Sequence, residues 1–275
     1  MSAQAERIKW KTGIVVWLIA LGFLMPFVWM LLSSLKRDID IFGGGSWWPD
    51  PLQWANYRKV WTGQHSLLHY FANSILVAVP RVLGELMTAS MAGYAFARLR
   101  FRGRDGIFLL YLATSIVPVQ LLLVPRFMFF SELGLYDTLL ALILPGMFTV
   151  LGTFLMRQYF SGLPGELAEA ARLDGAGEWR VFWSVYLPLA RPVLASLGIL
   201  GFVWSWNDYE GPLIMLSSDS KYTIPLGLTQ FVSENGALSA GLAMAASVCA
   251  TVPIVIIFLA FQRNFLAALS TTGLK

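Results

Sequence analysis

The sequence predicts an all-α polytopic membrane protein with six transmembrane helices and both termini on one side. Three observations predict it. Of 275 residues, 57% are hydrophobic and 13% charged, whereas an ordinary soluble domain carries about 25% charged residues. Mean hydropathy is +0.63. Six apolar stretches approach or exceed the ~20 residues that a spanning helix needs, and basic residues gather on alternate connections between them.

Each span has its own signature. The first, about 13–35, holds IVVWLIALGFLMPFVWMLL after Arg7, Lys9 and Lys11. It is too long for a signal-peptide core and no small-residue cleavage site follows, so it reads as a retained span. The second, about 70–97, contains Pro80, Arg81 and Glu85. A helix sets Arg81 and Glu85, four apart, on one face. Charges within a span face the protein interior or a water-filled path, so both a structural ion pair and a substrate path are open for them. The third (about 106–128), fourth (138–158), fifth (190–210) and sixth (240–262) follow, and prolines recur at Pro26, Pro118, Pro145 and Pro253. Neighbouring helices absorb the backbone groups that proline frees, so proline does not veto a span. No internal repeat is visible, and residues 1–275 read as a single transmembrane domain.

Basic residues orient the chain. With the N-terminus in the cytoplasm, the inside segments hold Arg7, Lys9, Lys11, Arg98, Arg100, Arg102, Arg104, Arg157, Arg172, Arg180, Arg191, Arg263 and Lys275. The outside segments hold only Lys36, Arg37, Arg58, Lys59 and Lys221. The positive-inside rule therefore predicts cytoplasmic termini. It also accounts for the basic pI without a nucleic-acid partner: RLRFRGR at 98–104 is a topology anchor beside anionic membrane lipid. The aromatic stretch WWPDPLQWANYRKVW at 47–61 suits an interfacial belt or packing against an external partner.

Composition also excludes chemistry. The single Cys249 lies in an apolar run and permits no internal disulfide. His65 and His69 have no acidic or Cys neighbour to complete a metal site. No G-x-x-x-x-G-K-[ST] loop is present, and GGGS at 43–46 lacks its lysine. No catalytic, metal or cofactor residues are expected in this chain.

The loop at about 159–189 departs from the rest. In LPGELAEAARLDGAG, Pro164 suits the first helical position and Glu166 the first turn. Gly175 suits the left-handed residue beyond the helix end. A helix over about 164–174 follows, near 16 Å long and marginal alone in water. Leu163, Leu167, Ala170 and Ala171 recur at spacings of three and four, the alanines small enough for close approach, with Glu169 beside them. Trp179, Phe182, Trp183 and Tyr186 then mark the stripe of an interfacial helix.

This loop resembles the signature of the inner-membrane permease subunits of binding-protein-dependent ABC importers: E-A-A, three residues, G, nine residues, I-x-L-P. Here it reads Glu169-Ala170-Ala171, Gly175 and Val185-Tyr186-Leu187-Pro188, with Val for Ile, before the penultimate span. SWNDYEGPLIML (205–216), LYDTLLALILP (135–145) and FQRNFLAALSTTGLK (261–275) are similar to segments of the carbohydrate branch, the maltose-permease type. The tail has Ala-Leu-Ser where Gly-Leu-Thr is usual.

The resemblance implies a type I ABC importer permease fold in a prokaryotic cytoplasmic membrane. It implies a coupling helix that docks on a cytoplasmic ATPase through Glu169, Ala170, Ala171, Leu173, Asp174, Gly175, Leu187 and Pro188. It implies as partners a second homologous permease, two copies of the ATPase and an extracytoplasmic solute-binding protein, with ATP and Mg bound by the ATPase and no cofactor here. The solute is expected to be a sugar or related polyol, moved by alternating access; a non-sugar solute such as glycerol phosphate is the alternative. Along the path, Arg81 and Glu85 join Trp204, Asn207, Asp208 and Tyr209, whose polar groups suit hydroxyls and whose rings suit a sugar face; an aromatic belt around a polar helix end is the other reading. An intramembrane enzyme would need more titratable groups within the spans. An ion-coupled secondary transporter would show repeated halves and would leave the loop motif unexplained.

Overall fold

The computed structural model describes residues 3–43, 46–63, 65–232 and 239–272, with side chains over 13–261 of that range. Arg7, Lys9, Lys11, Arg263, Lys275 and most of the C-terminal motif at 261–275 lie outside the residues whose side chains are described. The described residues are helical, and no strand occurs among them. Four helices are long and apolar enough to cross a membrane, and six crossings result if each of two bent pairs is one span.

The chain forms two compact units, residues 1–67 with 227–252 and residues 68–226 with 253–275. In the first unit, the first span Gly13–Ser34 buries none of its most apolar window. Trp17 and Phe23 are 72% and 75% exposed, as expected of a helix that is apolar all round and meets lipid or another chain. Its end is fixed by polar contacts. The Asn56 amide donates to the carbonyls of Ser34 and Lys36 at 2.9 and 3.1 Å, and the Gly241 N–H at the start of the sixth span donates to Asp38 Oδ1 at 2.7 Å.

The second unit carries the second to fifth spans. The second span, Leu67–Arg98, is one continuous helix despite Pro80. The third differs from the straight span expected. It breaks by 90° between Arg104–Ile116 and Val119–Glu132. Val117 is extended, at φ −76° and ψ 117°, because the ring of Pro118 disfavours helical geometry in the residue before it. The fifth bends by 76° between Glu178–Leu189 and Arg191–Trp206. Pro192 there lacks the N–H that would continue the ladder, and its ring crowds the carbonyl four residues back.

Two cores hold this unit. One gathers Tyr94, Met156, Phe160, Ala168, Val181, Phe182, Tyr186 and Leu197. The other gathers Val77, Phe130, Leu142, Ile143, Met215, Leu216 and Leu226. The second span feeds both, through Tyr94 and Val77, and its charged residues Arg81 and Glu85 fall between them in sequence.

Asp137 pins the loop beyond the fifth span. Its Oδ1 accepts from the N–H groups of Ser217 and Ser218, both at 3.0 Å, and its Oδ2 from the Ser218 hydroxyl and the Lys221 ammonium at 2.6 and 2.8 Å. Its backbone is left-handed, φ 54°, a conformation Asp tolerates better than most residues. Burial pushes its carboxyl up, but these donors outweigh burial and hold it well below the ordinary carboxylate range. A group lowered in this way stabilises the fold at neutral pH and loses its contribution only as pH falls through the depressed value. Asp137→Ala removes the acceptor of four hydrogen bonds and is expected to cost about 1–3 kcal/mol, read as an earlier unfolding transition in detergent.

Candidate functional site

Two constellations stand out, both in the second unit. The first is the connecting helix Glu166–Leu173 and what anchors it. Gly175, at φ 83°, ends it. The Ala176 N–H donates to the Ala171 carbonyl and the Gly175 N–H to the Arg172 carbonyl, both at 3.0 Å, the paired closure that a left-handed residue after a helix permits. The helix has only eight residues, too few to stand alone in water. Ala168, 3% exposed, seats it on the core, and Leu163, Ala171, Ala176 and Leu187 pack against the same core.

The face expected from spacing is therefore divided. Leu163 and Ala171 turn inward, whereas Leu167 and Ala170 stay exposed with Glu166, Glu169, Asp174 and Gly175. Leu173 is 89% exposed, an apolar side chain projecting into solvent among acids. Of the eight loop residues singled out by the motif, Glu169, Ala170, Leu173, Asp174, Gly175 and Pro188 are exposed; Ala171 and Leu187 are partly buried.

The aromatic stripe that follows is divided too. Trp179 and Trp183 are 62% and 38% exposed, but Phe182 and Tyr186 are 2% and 0% exposed. The turn Phe182–Tyr186 is a π-helix, whose wider winding changes which side chains share a face. A uniform interfacial stripe is thus replaced by one core face and one outer face.

The second constellation is a cavity of about 220 Å³ lined by Arg81, Glu85, Arg126, Thr149, Trp204 and Asp208 among others. The Arg81 guanidinium pairs with Asp208 Oδ2 at 2.9 Å. Asp208 Oδ1 also accepts from the Gly211 N–H at 3.1 Å, fixing the turn after the fifth span. Glu85 is 5% exposed, and Thr149 lines the cavity with it. Arg126 Nη2 reaches the Ala141 carbonyl at 3.3 Å, and its buried Nε has no hydrogen-bond partner among the described residues. Two glycines admit these side chains. A Cβ at Gly201 would lie 2.5 Å from Glu85 Oε2, and one at Gly146 would collide with Arg81.

The structure thus gathers Arg81, Glu85, Trp204 and Asp208 around one cavity. Asn207 and Tyr209 are not among its lining residues; the Asn207 amide instead caps its own helix by donating to the Val203 carbonyl at 2.8 Å. Arg126 and Thr149 are additions to the expected set. The signal for Arg126 is a lone cation after Pro125 in an apolar run; Thr149 carries none. Two guanidiniums and two carboxylates in an apolar surround can bind polar solutes by paired hydrogen bonds. Among the described residues no group of three or more His, Cys, Asp or Glu can hold a metal ion.

Apolar helices long enough to cross a membrane, with a charged cavity and an exposed connecting helix in the second unit, fit a membrane transport subunit. Residues 85–271 match the family of binding-protein-dependent transport system inner membrane components, and the chain belongs to that family. It is 35% identical over 278 residues to the arabinooligosaccharides transport system permease protein AraQ of Halalkalibacterium halodurans, covering 97% of this chain and 99% of that one. It is 32% identical over 271 residues to the diacetylchitobiose uptake system permease protein NgcG of Streptomyces coelicolor, covering 98% and 86%. Its fold matches a crystal structure of a bacterial ABC transporter involved in the import of the acidic polysaccharide alginate. The TM-score is 0.87 at 23% identity, over 96% of this chain and 99% of that one. The fold is that of type I ABC importer permeases. The chain is a membrane subunit of such an importer, not its ATPase.

Proposed function

We propose that this chain is a permease subunit translocating an oligosaccharide or related sugar across the cytoplasmic membrane, with both termini in the cytoplasm. AraQ and NgcG, similar over nearly the whole chain, are named for oligosaccharide systems; that similarity carries the sugar reading. Helix Glu166–Leu173 docks on a cytoplasmic ATPase, two copies of which bind ATP and Mg. The exposed apolar residues Leu167, Ala170 and Leu173 on one eight-residue helix support this most directly, because together they leave an apolar surface outside the spans for such a partner to cover. A second homologous permease completes the path and an extracytoplasmic solute-binding protein delivers the sugar. Arg81, Glu85, Arg126, Trp204 and Asp208 line that path. Nucleotide-driven closure of the ATPases shifts the equilibrium between its outward and inward states.

The test is uptake by the complete importer in proteoliposomes, with ATP inside and labelled arabino-oligosaccharide, diacetylchitobiose or glycerol 3-phosphate outside. Uptake of a saccharide, dependent on ATP and the binding protein, is the expected result. Uptake of glycerol 3-phosphate alone would overturn the sugar assignment, and uptake by the lone chain under an ion gradient would overturn the importer reading.

A further inference from the structure

The motif accounts for the exposed face of helix Glu166–Leu173 but not for what holds its other side. Glu178 falls at one of the motif's unspecified positions. Its carboxylate accepts from Arg172 Nε at 2.7 Å through Oε1 and from the Tyr94 hydroxyl at 2.7 Å through Oε2. It therefore bridges the connecting helix to the second span. Tyr94 is 5% exposed, with its ring 5.3 Å from Phe182 and 5.1 Å from Tyr186. One turn on, the Arg98 guanidinium lies over the Tyr186 ring, 5.1 Å from its centroid. It donates to the carbonyls of Phe160 and Leu163, which end the fourth span.

The same helix carries Arg81 and Glu85, thirteen and nine residues before Tyr94. At 1.5 Å per residue, Tyr94 and Arg81 stand about 20 Å apart on one rigid element. An exposed ion pair such as Arg172–Glu178, with side chains 40% and 47% exposed, contributes little alone. Tyr94 changes its weight, because a phenol buried in a core needs its partner.

We propose that Tyr94, Glu178 and Arg172 are positioning residues that lock the connecting helix to the second span, so that displacement of the helix moves the cavity residues Arg81 and Glu85. Arg98 holds the fourth span in the same body. The inference rests on the reading of Glu166–Leu173 as the ATPase-docking helix.

The test uses the complete importer in proteoliposomes and reads solute transported per ATP hydrolysed, with assembly and thermal unfolding measured alongside. Tyr94→Phe keeps the ring and removes one hydrogen bond. It is expected to lower the ratio about fivefold, the size of one buried hydrogen bond, in complexes that assemble and unfold as the wild type does. Arg172→Glu is expected to lower it similarly, and Arg172→Lys to keep at least about half, since an ammonium still donates to the Glu178 carboxylate while the Tyr94 hydroxyl keeps its acceptor. Glu169→Lys separates the two readings. If it lowers the ratio while Tyr94→Phe and Arg172→Glu do not, the lock is wrong and the docking helix stands. If all three leave the ratio unchanged, the docking reading fails and the lock with it. A loss in Tyr94→Phe matched by lost assembly or earlier unfolding would reduce Tyr94 to a core residue and overturn the proposal.

Discussion

Leu173→Arg and Glu169→Lys are expected to reduce ATP-driven uptake by at least about tenfold while leaving the folded chain in the membrane. Leu173 is 89% exposed and Glu169 is also exposed, so neither supports the core of this chain. Their loss acts at the surface they present. An apolar anchor at the centre of a protein interface typically contributes 2 kcal/mol or more, roughly thirtyfold in affinity. Gly175→Val reaches the same end differently. It forces a β-branched residue into φ 83°, at about 1–2 kcal/mol, and loosens the end of the helix. Co-purification of the ATPase and uptake per complex check all three. Full ATPase retention and normal uptake would remove the docking role from this helix.

Arg81→Ala and Asp208→Ala are expected to destabilise the second unit by about 1–3 kcal/mol each, because each leaves a buried charge without its partner. The pair's side chains are only 20% and 24% exposed, so water compensates poorly. Uptake is expected to fall at least tenfold in both. The double substitution Arg81→Leu/Asp208→Leu separates structure from transport. It removes both charges together and is expected to regain much of the stability. It should not regain uptake, because the charges that face the solute remain absent. Recovery of both would make the pair a structural tie and nothing more.

The residues legible in the sequence were those whose role is local. Gly175 could be read as a helix stop because left-handed geometry is a property of one residue. The spacing from Glu169 to Pro188 could be read because it lies within one loop. Arg81 and Glu85 were visible as charges in an apolar run, but their spacing suggested a pair on one helix. The structure instead joins Arg81 to Asp208, 127 residues away, a contact set by helix packing and carried by no periodicity. The break at Pro118 was hidden for a related reason. Pro26, Pro80, Pro145 and Pro253 sit inside helices, and only the surroundings decide which proline bends a span. The aromatic stripe is not uniform because regular helical winding does not hold through Phe182–Tyr186, where a π-turn shifts the register. Tyr94 and Glu178 gave no signal at all: neither is unusual for its segment, and their meaning lies in their 2.7 Å contact.

The central claim is that the exposed face of Glu166–Leu173 is covered by a motor subunit. Cross-linking tests it most directly. Leu173→Cys is introduced into a Cys249→Ser background, which removes the chain's one native thiol, and the assembled importer is treated with a short bifunctional reagent. The expected result is a covalent product of this chain with the ATPase, whose yield changes when nucleotide is bound. A cysteine at position 173 that labels freely with a water-soluble maleimide in the assembled importer, and yields no product with the ATPase in any nucleotide state, would contradict it.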